Sequence, residues 1–273
     1  MIPRPCDPVA GGGKMATMPT TYPKISFCTV CMGRLHHLRQ TLPQNLADNA
    51  DYPNLEWVIL DYHSQDGLGD WIRTELAEEW ESGRIRYWRT TEPEAFHRCH
   101  SRNLLFRQAE GDVLVNLDAD NFTGPGFAHY VGQQFANHPK AYLVPDTVRL
   151  EHLKDAVGRV CVRKEHFMAV RGYDEAMEGY GFEDHDLYAR LDALGLQRLP
   201  IDREAFLRYL PHSDRERVEN EARWRSMKTM YRLPRQRVGQ ERVLILGWDQ
   251  QYVMSALESS EPSETGSWRE RSG

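Results

Sequence analysis

The chain has 273 residues, of which 40% are hydrophobic and 27% are charged, a composition typical of a globular protein with a sizeable core. Its net charge of -6 argues against a protein that mainly binds nucleic acid, although a local basic groove is compatible with that average. No run approaches the ~20 apolar residues of a membrane span, and the N-terminal residues lack the apolar core of a secretory signal. We therefore expect a cytoplasmic protein that contacts membranes only peripherally, if at all.

The two ends of the chain differ in composition from the middle. Residues 1–23 are rich in Pro, Gly and Thr, which predicts a flexible leader. Residues 259–273 are rich in Ser and Glu, which predicts a disordered tail. Five cysteines at irregular spacing argue against a disulfide framework, and the position of Cys28 and Cys31 in a predicted strand favours buried thiols over redox or zinc chemistry.

Strands alternate with helices through the first half of the chain. The apolar run Ile25–Cys31 predicts a buried strand, and leucines at helical spacing from Leu35 to Leu46 predict a helix after it. This alternation implies an α/β, Rossmann-like fold, with a mostly parallel sheet and helices on both faces. The further predicted elements are a strand over 57–60, a helix over 67–80, a strand over 85–88, a helix over 101–109 and a strand over 113–117.

The pattern loosens after Asn121 and predicts a smaller mixed region. A leucine stripe predicts a helix that ends at Gly195, and a charged segment over 213–231 predicts another, with Ser213 or Asp214 as its N-cap. The other predicted elements here are a helix over 127–135 and strands over 141–148, 160–163 and 242–246.

Polar residues follow several of the predicted strands at their carboxyl ends, where open α/β sheets bind ligands. Arg34 could contact a phosphate, and Asp61 could accept a hydrogen bond from a base N–H or a ribose hydroxyl. Simple turn formation is the alternative for both residues.

Asp118 and Asp120 follow the fourth predicted strand and are separated by one residue. In extended backbone this spacing places both carboxylates on one face. Mg²⁺ and Mn²⁺ prefer such oxygen ligands and keep coordination positions open for phosphate oxygens. Acidic turns are common, so the position after a buried parallel strand is what favours a metal site here.

A second acidic cluster, Glu183, Asp184 and Asp186, begins a predicted helix after the glycine-containing segment 179–181. Acidic residues suit the positive end of a helix dipole, but three of them exceed what capping requires. One carboxylate could act as a general base toward a hydroxyl group. His212 taken alone is more often a structural histidine than a metal ligand.

Four segments, in this order, resemble the GT-A-fold glycosyltransferases over roughly residues 24–215. Residues 58–64 take the place of the strand that ends in Asp-Asp-Gly-Ser in the inverting enzymes of family 2, and Ser101-Arg102-Asn103 resembles their Ala-Arg-Asn helix start. Residues 170–175 resemble their Gly-Gly-Phe-Asp-Glu turn. Residues 180–187 are similar to the Trp-Gly-Gly-Glu-Asp-Asp-Asp segment of β-1,4-galactosyltransferases.

The resemblance implies a metal-dependent, inverting transfer of a hexose or N-acetylhexosamine from a UDP-sugar to the hydroxyl of a glycan or other acceptor. It divides one GT-A domain into a nucleotide-sugar-binding half, 24–121, and an acceptor-binding and catalytic half, 122–258. The implied residues are Thr29, Arg34, Asp61, Arg102 and Asp118 for the donor, Asp120 and His212 for Mn²⁺ or Mg²⁺, Asp184 as the base, and Tyr180, Glu183 and His185 for the acceptor.

Three departures from the family patterns bear on specificity. Tyr62 stands where the second Asp of Asp-Asp-Gly-Ser is usual, His185 replaces an acidic residue, and Phe182 replaces a Gly, which narrows the expected pocket. They leave the acceptor open among a glycan, a protein side chain, a small molecule and a nucleobase. The basic segment 215–237 would suit an anionic acceptor or a membrane surface, although a solvated helical face is the more ordinary interpretation.

Two other functions fit parts of the pattern. A nucleotidyltransferase that forms a sugar nucleotide would use a similar sheet, but such enzymes carry a Gly-rich loop after the first strand, and segment 32–35 has a single Gly. A non-catalytic nucleotide-sugar-binding protein is the other alternative. The intact acidic motifs and His212 disfavour it.

Overall fold

The computed structural model describes residues 22–146, 148–150, 156–177, 181–221 and 255–256. Several predictions lie outside the described residues: the disordered tail, almost all of the leader, the strand over 242–246, the part of the last helix beyond residue 221, and Tyr180.

The sheet has eight strands in the described part of the chain, and its centre is parallel. The strands are β1 Ile25–Cys31, β2 Leu55–Tyr62, β3 Ile85–Thr90, β4 Val113–Asn116, β5 Ala141–Pro145, β6 Cys161–Arg163, β7 Gln197–Ile201 and β8 Ser255–Ala256. Their order across the sheet is β7-β5-β6-β4-β1-β2-β3-β8. Strands β4, β1, β2 and β3 run parallel to one another, β6 and β8 pair antiparallel with their neighbours, and β7 is parallel to β5.

Helices cover both faces of this sheet, as predicted. One hydrophobic cluster includes Phe27, Leu42 and Phe127 on one face, and a second includes Phe106 and Leu187 on the other. The helices are α1 Leu35–Asp48, α2 Leu68–Glu75, α3 Ala77–Glu81, α4 Arg98–Gln108, α5 Phe127–Asn137, α6 Lys164–Ala169, α7 Glu183–Ala193 and α8 Asp214–Val218, with a short 3-10 helix Glu204–Phe206.

Some predicted boundaries differ from the structure. The predicted helix over 67–80 is two helices, because the backbone of Leu76 leaves the helical region at φ -124 and ψ 32. The predicted strand over 141–148 ends at Pro145, where Asp146 accepts turn hydrogen bonds from the amides of Val148 and Arg149. Strands β7 and β8 and helix α6 were not predicted. The predicted helix over 213–231 ends already at Val218, since a turn follows it and Glu221 forms a β-bridge with Phe96.

The thiols and the helices agree with two further predictions. Cys28 and Cys31 lie in β1 and are buried free thiols. Burial raises the pKa of both thiols, which disfavours the reactive thiolate. Within the described ranges, no helix combines the length and the apolar character that crossing a bilayer requires.

Candidate active site

The loop after β4 meets a distant segment through backbone hydrogen bonds. The amide of Leu210 donates to the carbonyl of Asp120 over 2.7 Å, and the amide of Phe122 donates to the carbonyl of Arg208 over 2.9 Å. This pairing carries His212 to the end of β4, where its Nε2 lies 2.8 Å from Oδ2 of Asp120. The two predicted metal ligands are therefore adjacent in the structure.

The carboxylate of Asp120 is held from both sides. Its hydrogen bond to His212 raises the pKa of the imidazole, although partial burial opposes that shift. Asn121 donates from Nδ2 to Oδ1 of Asp120 over 2.9 Å. Behind Asn121, the buried Arg159 donates from Nη2 to Oδ1 of Asn121 over 3.0 Å. Arg159 thus places a positive charge beneath the acidic loop.

Asp120 and His212 fit a divalent cation. Their side chains are each 11% exposed, so both reach the cleft, and their facing atoms are close enough to share one ion. A carboxylate oxygen suits both Mg²⁺ and Mn²⁺, whereas an imidazole suits Mg²⁺ poorly because that ion is bound mainly through oxygen ligands. The imidazole in the pair therefore favours Mn²⁺ over Mg²⁺.

Arg102 connects the two acidic motifs. It lies in the second turn of α4, is buried, and points its guanidinium between the end of β4 and the start of α7. Its Nη1 lies 3.1 Å from Oδ1 of Asp184 and 3.3 Å from Oε1 of Glu183, while Nη2 lies 3.5 Å from Oδ1 of Asp118. One cation therefore compensates three carboxylates that would otherwise repel one another.

Asn103, the neighbour of Arg102, aligns a tyrosine with the same carboxylate. Its Oδ1 accepts from the amide of Tyr173 over 2.8 Å, and its Nδ2 donates to the Tyr173 carbonyl over 2.9 Å. The hydroxyl of Tyr173 then donates to Oδ1 of Asp184 over 3.3 Å. Two of the three segments that resemble family 2 patterns, 101–103 and 170–175, are thus in direct contact and jointly orient Asp184.

The environment of Asp184 shifts its proton affinity. Burial raises the pKa of this carboxyl to about 7, with further increases from Glu183 and Asp118 and a decrease from Arg102. A carboxyl with a pKa near neutrality can accept a proton at physiological pH and release it again. Oε2 of the neighbouring Glu183 is buried without a hydrogen-bond partner among the described residues.

Gly158 leaves space where the acidic motifs meet. A Cβ atom at this position would lie 3.2 Å from Nη2 of Arg102, 3.3 Å from Oδ2 of Asp118 and 3.5 Å from Oδ2 of Asp184. The oxygens that face this space are the ones that do not contact Arg102. A polar group of a ligand could therefore reach Asp118 and Asp184 together.

A cleft of about 740 Å³, including its open mouth, lies over the ends of β1 and β4. Four of the predicted site residues line it: Arg34, Asp118, Asp120 and His212. Arg98 and Arg217 add positive charge to its wall, while Val30, Met32 and Phe96 add apolar surface.

The other predicted donor residues do not line this cleft. Thr29 and Asp61 are 3% and 2% exposed. Oδ2 of Asp61 accepts from the hydroxyl of Tyr87 over 2.5 Å, and Oδ1 accepts from the amide of Ser64 over 2.7 Å. Burial raises the pKa of Asp61, and these hydrogen bonds oppose the increase. The nucleoside contacts of Thr29 and Asp61 stay predictions.

Arg34 forms ion pairs with two glutamates, one in α8 and one directly after it. Its Nη1 lies 2.8 Å from Oε1 of Glu216, and its Nη2 lies 3.7 Å from Oε1 of Glu219. A phosphate that bound Arg34 would have to compete with these two carboxylates.

The two predicted acceptor residues that the structure describes, Glu183 and His185, lie in the first turn of α7. Glu183 is buried against Arg102, whereas His185 is exposed, with its ring 5.8 Å from the ring of Phe182. Phe182 has φ 68, a left-handed backbone that favours glycine, which is the residue that the galactosyltransferase pattern has there. Strain of this kind clusters at functional sites.

Sequence reasoning assigned no role to several residues of the site. Tyr173 was part of a recognised segment, and its contact with Asp184 depends on pairing between segments distant in sequence. Arg98, Arg159 and Gly158 had no local signal, since their positions follow from how the loops converge. Arg217 belongs to the basic segment 215–237, but its place in the cleft was not predicted.

Two family models match the chain. The model of glycosyl transferase family 2 matches residues 26–156, and the model of the N-terminal domain of galactosyltransferase matches residues 148–220. No curated protein sequence matches the chain.

Solved structures with a similar fold include a mannosyltransferase, PcManGT from Pyrobaculum calidifontis, in complex with GDP-Man and Mn2+, at a TM-score of 0.59 and 18% identity over 74% of this chain and 61% of that one. GalNAc-T7 with UDP, GalNAc and Mn2+ has a TM-score of 0.53 and 15% identity over 66% of this chain and 42% of that one. S. aureus TarS 1-349 in complex with UDP-GlcNAc has a TM-score of 0.51 and 15% identity over 62% of this chain and 53% of that one.

The fold is that of the GT-A glycosyltransferases, as predicted. Within that fold, residues 26–156 resemble the family 2 glycosyltransferases and residues 148–220 resemble the N-terminal domain of galactosyltransferase. It spans less than two thirds of the length of the three similar structures.

Proposed function

We propose that the chain transfers a hexose or an N-acetylhexosamine from a UDP-sugar to an acceptor hydroxyl, with inversion at the anomeric carbon. The observation that carries this proposal is the pair of contacts from Arg102 to Asp118 and Asp184. They join the end of the nucleotide-binding half to the carboxylate with the raised pKa.

The donor lies along the carboxyl ends of β1 to β4. Arg34, Arg98 and Arg217 offer guanidinium groups for a diphosphate. Asp118, Asp120 and Glu221 also line the cleft, and Arg98 pairs with Glu221 at 2.9 Å, so a diphosphate would compete with these carboxylates. Thr29 and Asp61 are assigned to the nucleoside, and Asp118 to the ribose or a water on the cation. The nucleotide sugars in the similar structures, GDP-Man and UDP-GlcNAc, support this class of donor.

Asp120 and His212 are the residues that would hold the divalent cation. Mn²⁺ or Mg²⁺ there would neutralise the negative charge that grows on the departing diphosphate. The Mn2+ in two of the similar structures supports a cation in this fold, and the imidazole of His212 favours Mn²⁺ in this chain.

Asp184 accepts the proton of the acceptor hydroxyl as its oxygen attacks the anomeric carbon. The bond from that carbon to the diphosphate oxygen breaks, and its electron pair leaves with UDP. Arg102 and Tyr173 hold Oδ1 of Asp184, so Oδ2, beside Gly158, is the oxygen that takes the proton. Attack opposite to the departing diphosphate inverts the anomeric configuration.

The acceptor lies against the start of α7. Glu183, His185 and Tyr180 are assigned to it, with the ring of Phe182 beside His185. Because His185 is exposed next to the catalytic carboxylate, the acceptor enters from that side. A glycan hydroxyl is the acceptor class that these groups fit best.

Thermal shifts with a panel of sugar nucleotides and Mn²⁺ test the donor assignment, since a ligand that binds the folded chain raises its melting temperature. We expect a UDP-sugar to stabilise the chain only when a divalent cation is present. NMR of the product should then show the opposite anomeric configuration from the donor. Stabilisation by no sugar nucleotide, or a product with retained configuration, would contradict the corresponding part of the proposal.

A further inference from the structure

A second cluster of metal-ligating side chains lies beside the cleft. His36 and His37 belong to the first turn of α1, and Glu216 belongs to α8. The Nε2 atoms of the two histidines lie 3.0 and 3.4 Å from Oε1 of Glu216. Their three ligand atoms all lie within 4.8 Å of one another. The fold thus brings together two imidazoles and a carboxylate from elements distant in the chain.

We propose that His36, His37 and Glu216 bind one transition-metal ion of the Zn²⁺ type. Two imidazoles and a carboxylate form a common ligand set for Zn²⁺, which leaves a fourth position for water. Nitrogen ligands select Zn²⁺, Ni²⁺ or Co²⁺ over Mg²⁺ and Ca²⁺, which are bound mainly through oxygen. This ligand set, with two imidazoles, therefore favours a Zn²⁺-type ion more strongly than the single imidazole of the Asp120–His212 pair does.

The cluster is accessible to an ion from solvent and is already assembled. The side chain of His36 is 58% exposed and that of Glu216 is 25% exposed, whereas His37 is 8% exposed and anchored in the cleft wall. The rings of His36 and His37 lie 4.1 Å apart. Little side-chain ordering remains to be done when the ion binds, because the helices already place the three groups together.

Arg34 competes with the ion for the carboxylate of Glu216, since its Nη1 lies 2.8 Å from the same Oε1 atom. Glu219 offers the guanidinium a second carboxylate, with Nη2 now 3.7 Å from its Oε1. An ion on Glu216 therefore shifts Arg34 toward Glu219 and holds α8 against α1. Because Arg34 lines the cleft, occupancy of this site alters the cleft wall.

This second site shares no ligand with the Asp120–His212 pair, although the two are neighbours. The ring centroids of His37 and His212 lie 5.8 Å apart. The test therefore has to separate the two sites. It also has to read metal binding directly, so that its outcome does not depend on the proposed transfer reaction.

Calorimetric titration of the full chain with Zn²⁺ alone provides that test, with Co²⁺ absorption as a second readout of ligand geometry. In a His212→Ala background, we expect one saturable Zn²⁺ ion per chain. Adding His36→Gln or Glu216→Gln should weaken that binding by at least about tenfold, the low end of what loss of a supporting partner costs at a metal site. Melting curves without metal verify that each variant is folded.

His129→Gln is the matched control, because His129 forms an isolated pair with Asp51, at 3.2 Å and 31% exposure. It should leave Zn²⁺ affinity unchanged. Zn²⁺ binding that His212→Ala abolishes and His36→Gln leaves intact would assign the ion to the other site and overturn the inference. Equal affinity in the His36→Gln, Glu216→Gln and parental chains, or no saturable binding, would overturn it as well.

Discussion

Arg102 donates from Nη1 to Oδ1 of Asp184 over 3.1 Å, which ties the second turn of α4 to the first turn of α7. Because both side chains are buried, this pair is weakly screened and fixes the carboxylate in one orientation. The other oxygen of this proposed base, Oδ2, therefore faces a defined space beside Gly158.

Replacing that base should abolish transfer and spare donor binding. Asp184→Asn keeps the shape of the side chain but cannot accept a proton, so kcat should fall by about 10²- to 10⁴-fold. Metal-dependent binding of the donor, measured by thermal shift, should remain. Asp192→Asn is the matched control, since Asp192 lies on the same helix and pairs with Arg198 at a half-exposed position. Transfer at the parental rate by Asp184→Asn would refute the assignment of the base.

The pH dependence of the reaction should follow the raised pKa of Asp184. The base works only when ionised, so kcat/KM should fall about tenfold per pH unit as the pH drops below about 7. Protonation of His212 would also weaken metal binding at low pH. Donor affinity measured over the same pH range distinguishes protonation of Asp184 from protonation of His212. If the rate falls only as far as donor affinity falls, the metal site is responsible and Asp184 is not.

The same carboxyl should make stability depend on pH. Its pKa is raised from 3.8 to about 7 in the folded chain, so between these values the folded chain holds a proton that the unfolded chain releases. Stability should therefore fall as the pH rises through this window. In urea unfolding without metal, Asp184→Asn should show a smaller fall than the parental chain from pH 4.5 to 7.5. An identical slope in both chains would mean that Asp184 titrates normally.

The parallel core of the fold could be predicted from the sequence because its signals are local. Buried strands such as Ile25–Cys31 are continuous apolar runs, and the helix after it has leucines at regular spacing. Strand β7 was missed because Gln197–Ile201 is a mostly exposed edge strand with polar residues and a proline. Its pairing with β5 is a tertiary contact that no local pattern encodes.

The residues of the candidate site also differ in whether a local sequence pattern or a tertiary contact reveals them. The Asp118–Asp120 motif and Asp184 could be found because each is a dense local cluster of carboxylates. The roles of Tyr173, Gly158 and Arg159 could not, because each depends on a segment elsewhere in the chain: Asn103 places Tyr173, and Arg159 reaches Asn121 across the loop. Arg34 was predicted to meet a phosphate, yet its pairing with Glu216 depends on where α8 lies.

Removing either predicted metal ligand should remove the response to metal. Asp120→Asn and His212→Ala should each weaken Mn²⁺ affinity by at least about tenfold and lower transfer at subsaturating Mn²⁺. EDTA should stop the parental enzyme, and Mn²⁺ should restore it. His129→Ala, which removes a partly exposed histidine from its pair with Asp51, should change neither property. Full turnover in excess EDTA would contradict the metal role.

A methyl group at Gly158 should impair the chemistry without unfolding the chain. The Cβ of Gly158→Ala would lie 3.2 Å from Nη2 of Arg102 and within 3.5 Å of Oδ2 of both Asp118 and Asp184. It would occupy the space that the acceptor oxygen needs in the proposed reaction. We expect kcat to fall by about 10- to 100-fold, as displacements near 1 Å at a reacting centre do.

Gly195→Ala serves as the control, because we expect it to lower stability rather than activity. Gly195 has φ 84, and a methyl carbon added there would meet no other described residue within 4 Å, so alanine strains the backbone without touching the site. It should lower the free energy of unfolding by about 1 kcal/mol and leave kcat unchanged. Gly158 lies outside the left-handed region, so Gly158→Ala strains no backbone torsion, and its melting temperature should fall only as far as Arg102 and Asp118 must shift to admit the methyl group. Parental kcat in a folded Gly158→Ala variant would show that the acceptor oxygen does not pass between Asp118 and Asp184.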